Sequence, residues 1–517
     1  MQEPATTVPG DRGEAVQSHS RTWAPAWSLA IWRGRTWPLL VTLLLICLHL
    51  PYLNDGPNGY HRWREADTAT VAENYATENG DFLAPRINQR GTGDGIVGTE
   101  FPVYTYAVSL LYRMFGLHHA LARLVSLLGV GLCLFASWQL VTLLAPSLEL
   151  AAVFVWLTAF APLVYFYGGK IQPDIWGLGF AVAGAVQLIQ WTRQESTGRL
   201  VRAACLLALA GLIKPTFFAV GLPLLFAVAY SRGWRTFKRP ELWLTAIAAL
   251  LPTILWLHYA QGLNAHSGSH YFYLGGNTLD EMRGALTANF YSNVLLTWPF
   301  DLVVGLPFCL YFVVGAYAWR RQANGRMMAL WILGSLIVCA IAGNHCATAH
   351  DYYYLPAVPA FIFFTATGVT KALKSNSRIL RVVTLVLLIG APLNGWARMR
   401  GRYEHTPSFK TTRAAVVNSP AFHQLAVAVD DVPGYTLYMS GLKGFRLNRD
   451  AHLAELAASA RAGAQYLVYA TRLGTLSPAA RALLGGPVVA TATLEIYKLT
   501  PVLQAAPLPD APVLTLQ

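Results

Sequence analysis

Long apolar runs are the feature that most constrains the fold of this chain. The sequence of 517 residues is 54% hydrophobic, and only 13% of its residues are charged, whereas a soluble globular chain carries roughly 25% charged residues. The runs are continuous and lack period-two alternation, which favours membrane-spanning helices over an outer-membrane barrel. The sequence therefore predicts a polytopic α-helical membrane protein. Eleven spans are expected, near residues 37–53, 119–145, 148–168, 174–192, 201–214, 216–230, 241–258, 298–319, 327–343, 354–371 and 381–397.

The basic residues fix an expected orientation. The net charge of +13 comes from Lys and Arg that gather in short loops between the spans, such as 193–199, 232–239 and 320–326. Eleven spans place all of these loops on one side, and short basic loops mark the cytoplasm. The excess of positive charge therefore indicates a multi-pass cytoplasmic (inner) membrane protein with a cytoplasmic N-terminus, and it does not call for a nucleic-acid partner.

Three regions follow from this topology. Residues 1–36 are expected to be a disordered cytoplasmic tail, and residues 37–397 a transmembrane module with one long outer loop at 54–118. Residues 398–517 change in character and predict a small extracytoplasmic α/β domain, with strands at 435–439, 464–471 and 487–499 and a helix at 450–463. Within the module, Pro215 after Lys214 predicts a break between two short helices, because proline lacks the amide that a continuing helix needs.

The outer loop carries the first candidate catalytic residues. Residues 61–87 read HRWREADTATVAENYATENGDFLAPRI, and a helix over 64–78 is expected to lie along the membrane surface. Its alanine stripe places Glu65 toward the membrane domain, whereas Asp67 lies on the other side with Val71 and Asn74. Either carboxylate is a candidate general base; the alternative is that both only favour the helix dipole and cap free amides.

Three further segments place polar groups at the same outer face. Glu100 in GTEFPVY is a candidate for binding a metal or a sugar, or for an interfacial salt bridge. Lys170 in YFYGGKIQPD is a candidate for neutralising a phosphate, or a lysine that reaches the interface without other function. In HDYYYLP, His350, Tyr352 and Tyr353 are candidate substrate contacts, although the tyrosines also suit an aromatic belt.

The order of these motifs resembles the GT-C superfamily of polyprenyl-phosphate-sugar-dependent glycosyltransferases. The resemblance covers roughly residues 37–397 and is closest to bacterial relatives of protein O-mannosyltransferases and lipid A aminoarabinose transferases. WREADTATVAENYATENGDFLAPRI resembles the family's first acidic motif, surface helix and turn, GTEFPVYTY the second acidic motif, and HDYYYLPAVP a late outer loop that helps hold the donor phosphate. Two positions depart from the family pattern: Arg64-Glu65 stands where Asp-Glu is frequent, and Phe101 where a Lys often follows the Glu.

The resemblance implies an inverting membrane glycosyltransferase. Its substrates would be a polyprenyl-phosphate-linked sugar and a lipid, glycan or protein acceptor, in contact with membrane lipids. The register of the acidic motif favours Glu65 as the base, whereas the more polar local surroundings of Asp67 favour Asp67, which is the preferred candidate. Glu100 falls on a position that helps to bind metal or substrate, so a divalent ion held by Glu100 and Asp67 is a candidate cofactor. Arg64, Lys170, His350 and one of the tyrosines would converge on the donor phosphate.

Two other functions fit a chain of many spans. A flippase or sugar transporter would place ionisable groups near the bilayer midplane and tend to repeat its halves. This chain keeps most of its acidic residues in outer loops and has no evident repeat, which favours the enzyme. An oligosaccharide polymerase or ligase would share the large outer loops but use a lipid-diphosphate donor.

Overall fold

A computed structural model describes residues 36–78, 80–267, 278–348, 350–404, 409–499 and 515–516. The expected N-terminal tail, apart from Thr36, and the proline-rich segment 501–514 lie outside these ranges.

All eleven segments predicted as spans contain helix. The longer helices are Thr36–His49, Arg62–Thr77, Val103–Phe115, His119–Leu144, Leu148–Phe160, Pro162–Gly168, Asp174–Arg193, Thr197–Ile213, Gly221–Arg232, Pro240–Ser267, Ser292–Val303 (a π-helix), Cys309–Trp319, Ala323–Ile341, Val358–Leu373 and Arg378–Met399. Short helices are Thr278–Arg283, Ala288–Tyr291, Gly343–Thr348 and Phe409–Val417.

Fewer helices than the eleven predicted are long and apolar enough to be counted as membrane spans. Within the described residues seven helices are long and apolar enough to cross a membrane, or up to nine if each of two bent pairs is one span. The pairs bend by 60° before Pro162 and by 91° between Val303 and Leu306. The first predicted span is the shorter helix Thr36–Tyr52, and the segment predicted at 201–214 belongs to the 17-residue helix Thr197–Ile213. The structure therefore supports a polytopic helical fold, but not the count of eleven.

The predicted break at Lys214 and Pro215 is present. One helix ends at Ile213, Lys214 is extended, and a 3₁₀ turn over Pro215–Val220 leads into the next helix. Since Pro215 has no amide to donate, the helix cannot continue through it. The break leaves the Lys214 side chain beside Asp174, the first residue of a neighbouring helix.

The helix predicted at 64–78 is present as Arg62–Thr77 and is called the loop helix below. Most of its residues are buried, because it is packed between the membrane helices and the C-terminal sheet. Ala69 and Ala72 pack against Tyr104 on one side and Tyr438 on the other, in one apolar cluster. The alanine stripe thus predicted a buried face of this helix. The contact with the C-terminal region was not predicted, because the residues that make it lie far away in the sequence.

The C-terminal region is a five-stranded mixed sheet with helices on both faces. The strands are β1 Leu425–Asp430, β2 Lys443–Asn448, β3 Tyr466–Ala470, β5 Val489–Ala490 and β6 Leu494–Lys498, in the order β2-β1-β3-β6-β5. A separate pair joins β4 Thr475–Leu476 to β7 Thr515–Leu516. β1 runs parallel to β2 and β3, and β6 is antiparallel to β3 and β5. The helices are Tyr435–Ser440, Leu453–Arg461 and Pro478–Leu484.

The predicted helix at 450–463 and the strand at 464–471 are present in shortened form, whereas the single strand predicted at 487–499 is instead two antiparallel strands, β5 and β6. The predicted strand at 435–439 is wrong, because Tyr435–Ser440 is a helix bounded by Gly434 and Gly441 in left-handed conformations. Its residues are all buried, so the segment has no polar face to reveal helical periodicity.

The sheet is fastened to the outer loop by ionic and backbone contacts. Arg413 makes a two-pronged ion pair with Glu73 of the loop helix, at 2.7 and 2.9 Å. Lys443 contacts Glu78 at the end of that helix, and the Arg90 amide donates to the Gly444 carbonyl at 2.9 Å. The sheet therefore fixes the loop from the side opposite the membrane helices.

Candidate active site

A buried charge cluster attaches the loop helix to the membrane helices. Glu65 accepts from Arg123 Nη1 at 2.7 Å and from the Ile171 amide at 2.9 Å through one oxygen. Its other oxygen accepts from Lys170 Nζ at 3.0 Å and from the Asn58 amide at 3.2 Å. Burial acts to raise the pKa of Glu65, but the two cations and the Ile171 amide lower it to about 2. Glu65 is therefore ionised, with four donors on its carboxylate.

The two cations of this cluster also donate hydrogen bonds to backbone carbonyls. Arg123 also donates to the carbonyls of Gly169, Asp55 and Gly56. Lys170 donates to the Asn58 carbonyl at 2.9 Å as well as to Glu65, and it is only 1% exposed. The structure thus brings Glu65 and Lys170 together, but it places both away from the large cavity described next.

The central cavity, of about 470 Å³, opens where the outer loop meets the ends of the membrane helices. Among the predicted site residues, it is lined by Arg64, Glu100, His350, Tyr352 and Tyr353. Further lining residues come from the broken helix and its neighbours: Trp63, Gly211, Leu212, Ile213, Lys214, Pro215, Thr216, Thr253, Trp256, Leu257, Val338, Ile341, Ala342 and His345.

Two cations, Arg64 and Lys214, and one carboxylate, Glu100, line this cavity, and a second carboxylate lies behind the two cations. Arg64 contacts Glu100, and its Nη2 lies 3.9 Å from Asp174 Oδ2. Lys214 Nζ lies 2.7 Å from Asp174 Oδ1 and 4.0 Å from the centre of the Tyr352 ring. Asp174 is 1% exposed and does not line the cavity. The Asp174 carboxylate therefore lies outside the cavity lining and holds the Arg64 guanidinium and the Lys214 ammonium close to each other.

The aromatic wall is uncharged. Burial, assisted by the charges of His61, His345 and Lys214, lowers the pKa of His350 to about 3, so its imidazole is neutral near pH 7. The His350 ring lies 5.4 Å from His61 and 5.6 Å from Tyr352, measured between ring centroids. His350 is therefore a hydrogen-bonding and packing group of the cavity, while the positive charge comes from Arg64 and Lys214.

Asp67 faces a small chamber of about 20 Å³ beside the central cavity. Arg64 and Glu100 line both spaces, and Val71 lines the chamber as its position on the helix predicted. Asn74 instead donates to Arg86 and Asn88. Burial raises the pKa of Asp67 well above its usual range; Arg64 opposes the rise and Glu100 adds to it. Asp67 Oδ1 is buried without a hydrogen-bond partner among the described residues.

These residues do not fit a metal ion. In the part of the chain that the structure describes, no group of three or more His, Cys, Asp or Glu side chains is arranged to hold one. Glu100 is engaged by Arg64, and the chamber that it shares with Asp67 also contains that guanidinium. A cation at this point would be repelled by Arg64, so no step of the chemistry is routed through a metal.

The sequence did not single out Lys214 or the role of Asp174. Lys214 served only to locate a helix break, and Asp174 was noted beside Lys170. The available signal was an ionisable residue at a break between apolar helices, which is costly unless it has a partner or a function. The pairing itself joins residues 40 positions apart and depends on how the helices pack.

Comparison with known proteins supports the resemblance found in the sequence. A model of the dolichyl-phosphate-mannose-protein mannosyltransferase family matches residues 99–259. A search of curated proteins finds no match.

Solved structures share the fold over most of the chain. ArnT from Cupriavidus metallidurans bound to undecaprenyl phosphate superposes with a TM-score of 0.61 at 14% identity, covering 93% of this chain and all of that one. Its apo form gives 0.61 at 13% identity, covering 91% and 98%. An oligosaccharyltransferase from Archaeoglobus fulgidus, in complex with Zn and sulfate, gives 0.52 at 11% identity, covering 84% and 68%. The fold is that of the GT-C glycosyltransferases, and with the family match it indicates an enzyme of the glycosyltransferase class.

The buried cluster generates a stability prediction. We expect Lys170→Met to lower the free energy of unfolding by about 1–3 kcal/mol, because it leaves a Glu65 oxygen and the Asn58 carbonyl without their ammonium donor in a buried site. The measurement is thermal or denaturant unfolding of the purified protein in lipid nanodiscs. Lys374→Met is the matched control, since Lys374 pairs with Glu149 on the surface and such pairs contribute about 0–1 kcal/mol. A Lys170→Met protein of normal stability that fails to bind donor would instead make Lys170 a phosphate ligand.

Proposed function

We propose that this protein transfers a sugar from a polyprenyl-phosphate donor to a hydroxyl group of a lipid, glycan or protein acceptor at the outer face of the cytoplasmic membrane. The observation that carries the proposal is the pair Arg64 and Lys214, held together by Asp174 on one wall of the central cavity. A phosphate needs cationic donors, and it needs them most when the sugar leaves and its charge rises. The undecaprenyl phosphate bound to the similarly folded ArnT supports the same donor class.

An apolar groove beside the central cavity offers a surface for the lipid part of the donor. A groove of about 350 Å³ shares Leu212 and Trp256 with the central cavity and continues over Leu83, Pro252 and Leu255. Leu255 is 58% exposed on a helix that is mostly unburied, so the groove opens toward the lipid. A separate apolar cavity of about 260 Å³ shares no lining residue with the central cavity. The groove therefore suits the polyprenyl chain better.

The expected topology agrees with a donor at the outer face. The basic residues Arg193, Arg199 and Arg232 lie at one end of the helices that carry Asp174 and Lys214 at the other. Basic loops favour the cytoplasmic side, so the cavity and the C-terminal sheet would face the outside. An active site at this boundary reaches a lipid-linked donor and a polar acceptor together.

The chemistry then needs one base and one anion site. Asp67 accepts the proton of the acceptor hydroxyl through Oδ1, while the acceptor oxygen forms a bond to the anomeric carbon. The bond between that carbon and the phosphate oxygen breaks on the opposite face, and the configuration of the anomeric carbon inverts. The polyprenyl phosphate leaves without a proton, and Arg64 and Lys214 stabilise its added charge.

Transfer of label from a polyprenyl monophosphate sugar tests this function directly. Purified wild-type protein in nanodiscs should transfer radiolabelled sugar from such a donor. Lys214→Met should lower donor affinity on the order of 10- to 100-fold, as expected for a lost hydrogen bond to a charged group. Lys238→Met, in the exposed basic loop at the other end of the helices, should leave it unchanged. Movement of intact donor across the bilayer without transfer would identify a flippase, and use of only a lipid-diphosphate donor would identify a polymerase or ligase.

The base makes a second prediction. We expect Asp67→Asn to lower kcat by about 10²–10⁴-fold with near-normal donor binding. Because the pKa of Asp67 is raised and only its ionised form accepts a proton, wild-type activity should rise as the pH passes upward through that pKa. This rise should be absent in Asp67→Asn and present in Asp94→Asn, an exposed loop control. If Glu100→Gln loses the rise while Asp67→Asn keeps it, the base is Glu100.

The groove makes a third prediction. Leu255→Asn should raise the KM for a long-chain donor roughly tenfold, because it removes apolar contact worth about 1.5 kcal/mol or more, and it should have little effect on a short-chain donor. Ile254→Asn is the matched control, since Ile254 is also 59% exposed but does not line the groove. A change confined to the KM of the acceptor would assign the groove to a lipid acceptor instead.

A further inference from the structure

A second polar cavity lies where the C-terminal sheet meets the outer loop. Its volume is about 330 Å³, within the range of roughly 300–1,000 Å³ that is usual for small-molecule sites. The polar side chains that line it include Arg62, Glu404, Tyr435, Thr436, Arg472 and Thr493. We call it the sheet-edge cavity.

The position of this cavity in the sheet is one at which ligands bind in other folds. β1 is followed by a helix on one face, Tyr435–Ser440, that packs on Ala426 and Ala428. β2 is followed by a helix on the other face, Leu453–Arg461, that packs on Val427 and Val429. β1 lies between β2 and β3 in the sheet. The connection from β1 to β2 and the connection from β2 to β3 therefore run in opposite directions along the sheet and on opposite faces. A crevice opens at such a point beyond the carboxyl ends of the strands.

Arg472 lines the cavity at those carboxyl ends, and the carboxylates that pair with it lie outside the lining. Asp430 is the last residue of β1, and Arg472 follows the end of β3 by two residues. Arg472 contacts both Asp430 and Asp431, and its Cζ lies 4.6 Å from the centre of the Tyr435 ring. On the loop side, Arg62 Nη2 lies 2.7 Å from Asp431 Oδ2 and its Nη1 lies 3.7 Å from Glu404 Oε2.

The charge balance decides the class of ligand. Both guanidinium groups of the lining are already paired with carboxylates, Arg62 with Asp431 and Glu404 and Arg472 with Asp430 and Asp431, so neither is left as an unpaired cation for a phosphate or sulfate. The lining offers many N–H donors, the Glu404 carboxylate as an acceptor, and hydroxyls of Thr436 and Thr493 that can do both. Met439 and Leu494 add an apolar side. A ring with several neutral hydroxyls and apolar C–H faces matches this combination, whereas an anion or a hydrocarbon chain does not.

The cavity is also close to the proposed active site along the chain. Arg62 lines the sheet-edge cavity, while Trp63 and Arg64 line the central cavity. All three residues lie in the first turn of the loop helix. The two cavities therefore adjoin the same turn of this helix.

We infer that the sheet-edge cavity binds a neutral sugar residue and thereby holds a glycan acceptor near the central cavity. The acceptor role rests on the proposed transferase function, whereas binding of the sugar does not. Arg62 and Arg472 donate to sugar hydroxyls, Glu404 and the hydroxyls of Thr436 and Thr493 accept from them, and no covalent step takes place in this cavity. The C-terminal sheet would in this way select the acceptor.

Binding is tested with mannotetraose, a neutral hexose oligosaccharide, by saturation-transfer NMR on the full chain in nanodiscs, which are free of sugar-headed detergent. Wild type should transfer saturation to the probe. Ala492→Trp should abolish the signal, because Ala492 lines the cavity and the indole fills it without removing an ion pair. Arg472→Gln should also lose the signal, and Arg461→Gln, an exposed arginine on the neighbouring helix, should keep it.

Several outcomes would overturn the inference. These are absence of signal from the wild type, an equal signal from Ala492→Trp, or binding of inorganic phosphate but not of mannotetraose at this cavity. Kinetics separate the inference from the proposed function. In an active enzyme with a glycan acceptor, Ala492→Trp should raise the acceptor KM roughly tenfold with unchanged donor KM. Unchanged acceptor KM would defeat the acceptor site alone, whereas sugar binding without any transfer would defeat the proposed function alone.

Discussion

The ion cluster of Glu65 with Arg123 and Lys170 is the interaction on which the rest of the site depends. It joins the loop helix to a membrane helix and to the turn before Asp174, and all three charges are nearly inaccessible to water. Such a cluster is costly to assemble and costlier to break. Because Arg64 and Asp67 flank Glu65 on the same helix, fixing Glu65 also fixes the guanidinium in the central cavity and the carboxylate in its chamber.

Three carboxylates of one loop thereby acquire different properties from their surroundings. Glu65 is ionised by two cations and has a pKa of about 2. Asp67 is buried with one oxygen unpartnered among the described residues and has a raised pKa. Glu100 contacts Arg64 and is 20% exposed to the cavity. Environment, and not residue type, separates a structural anion from a candidate base. The C-terminal region contributes by covering the loop helix, with which it shares an apolar cluster.

Local sequence signals predict much of this architecture, whereas the contacts that determine its chemistry join residues far apart in the sequence. The apolar runs predict the membrane helices, and Pro215 predicts the break after Lys214, because both signals act within a few residues. The motifs of the outer loop and the segment HDYYYLP together indicate five residues that line the central cavity. Lys170 was expected at the donor phosphate, but its partners Glu65 and Asn58 lie more than a hundred residues away. The ion pair of Lys214 with Asp174 and the helix at Tyr435–Ser440 likewise depend on tertiary packing.

The most direct test of the account is the structure of the protein with a polyprenyl phosphate bound, determined by electron cryomicroscopy in nanodiscs. The account predicts that the phosphate oxygens lie within hydrogen-bond distance of Arg64 and Lys214 Nζ, with the lipid chain leaving past Leu212 and Trp256 toward Leu255. A phosphate bound at Lys170, or at a site remote from the central cavity, would contradict it.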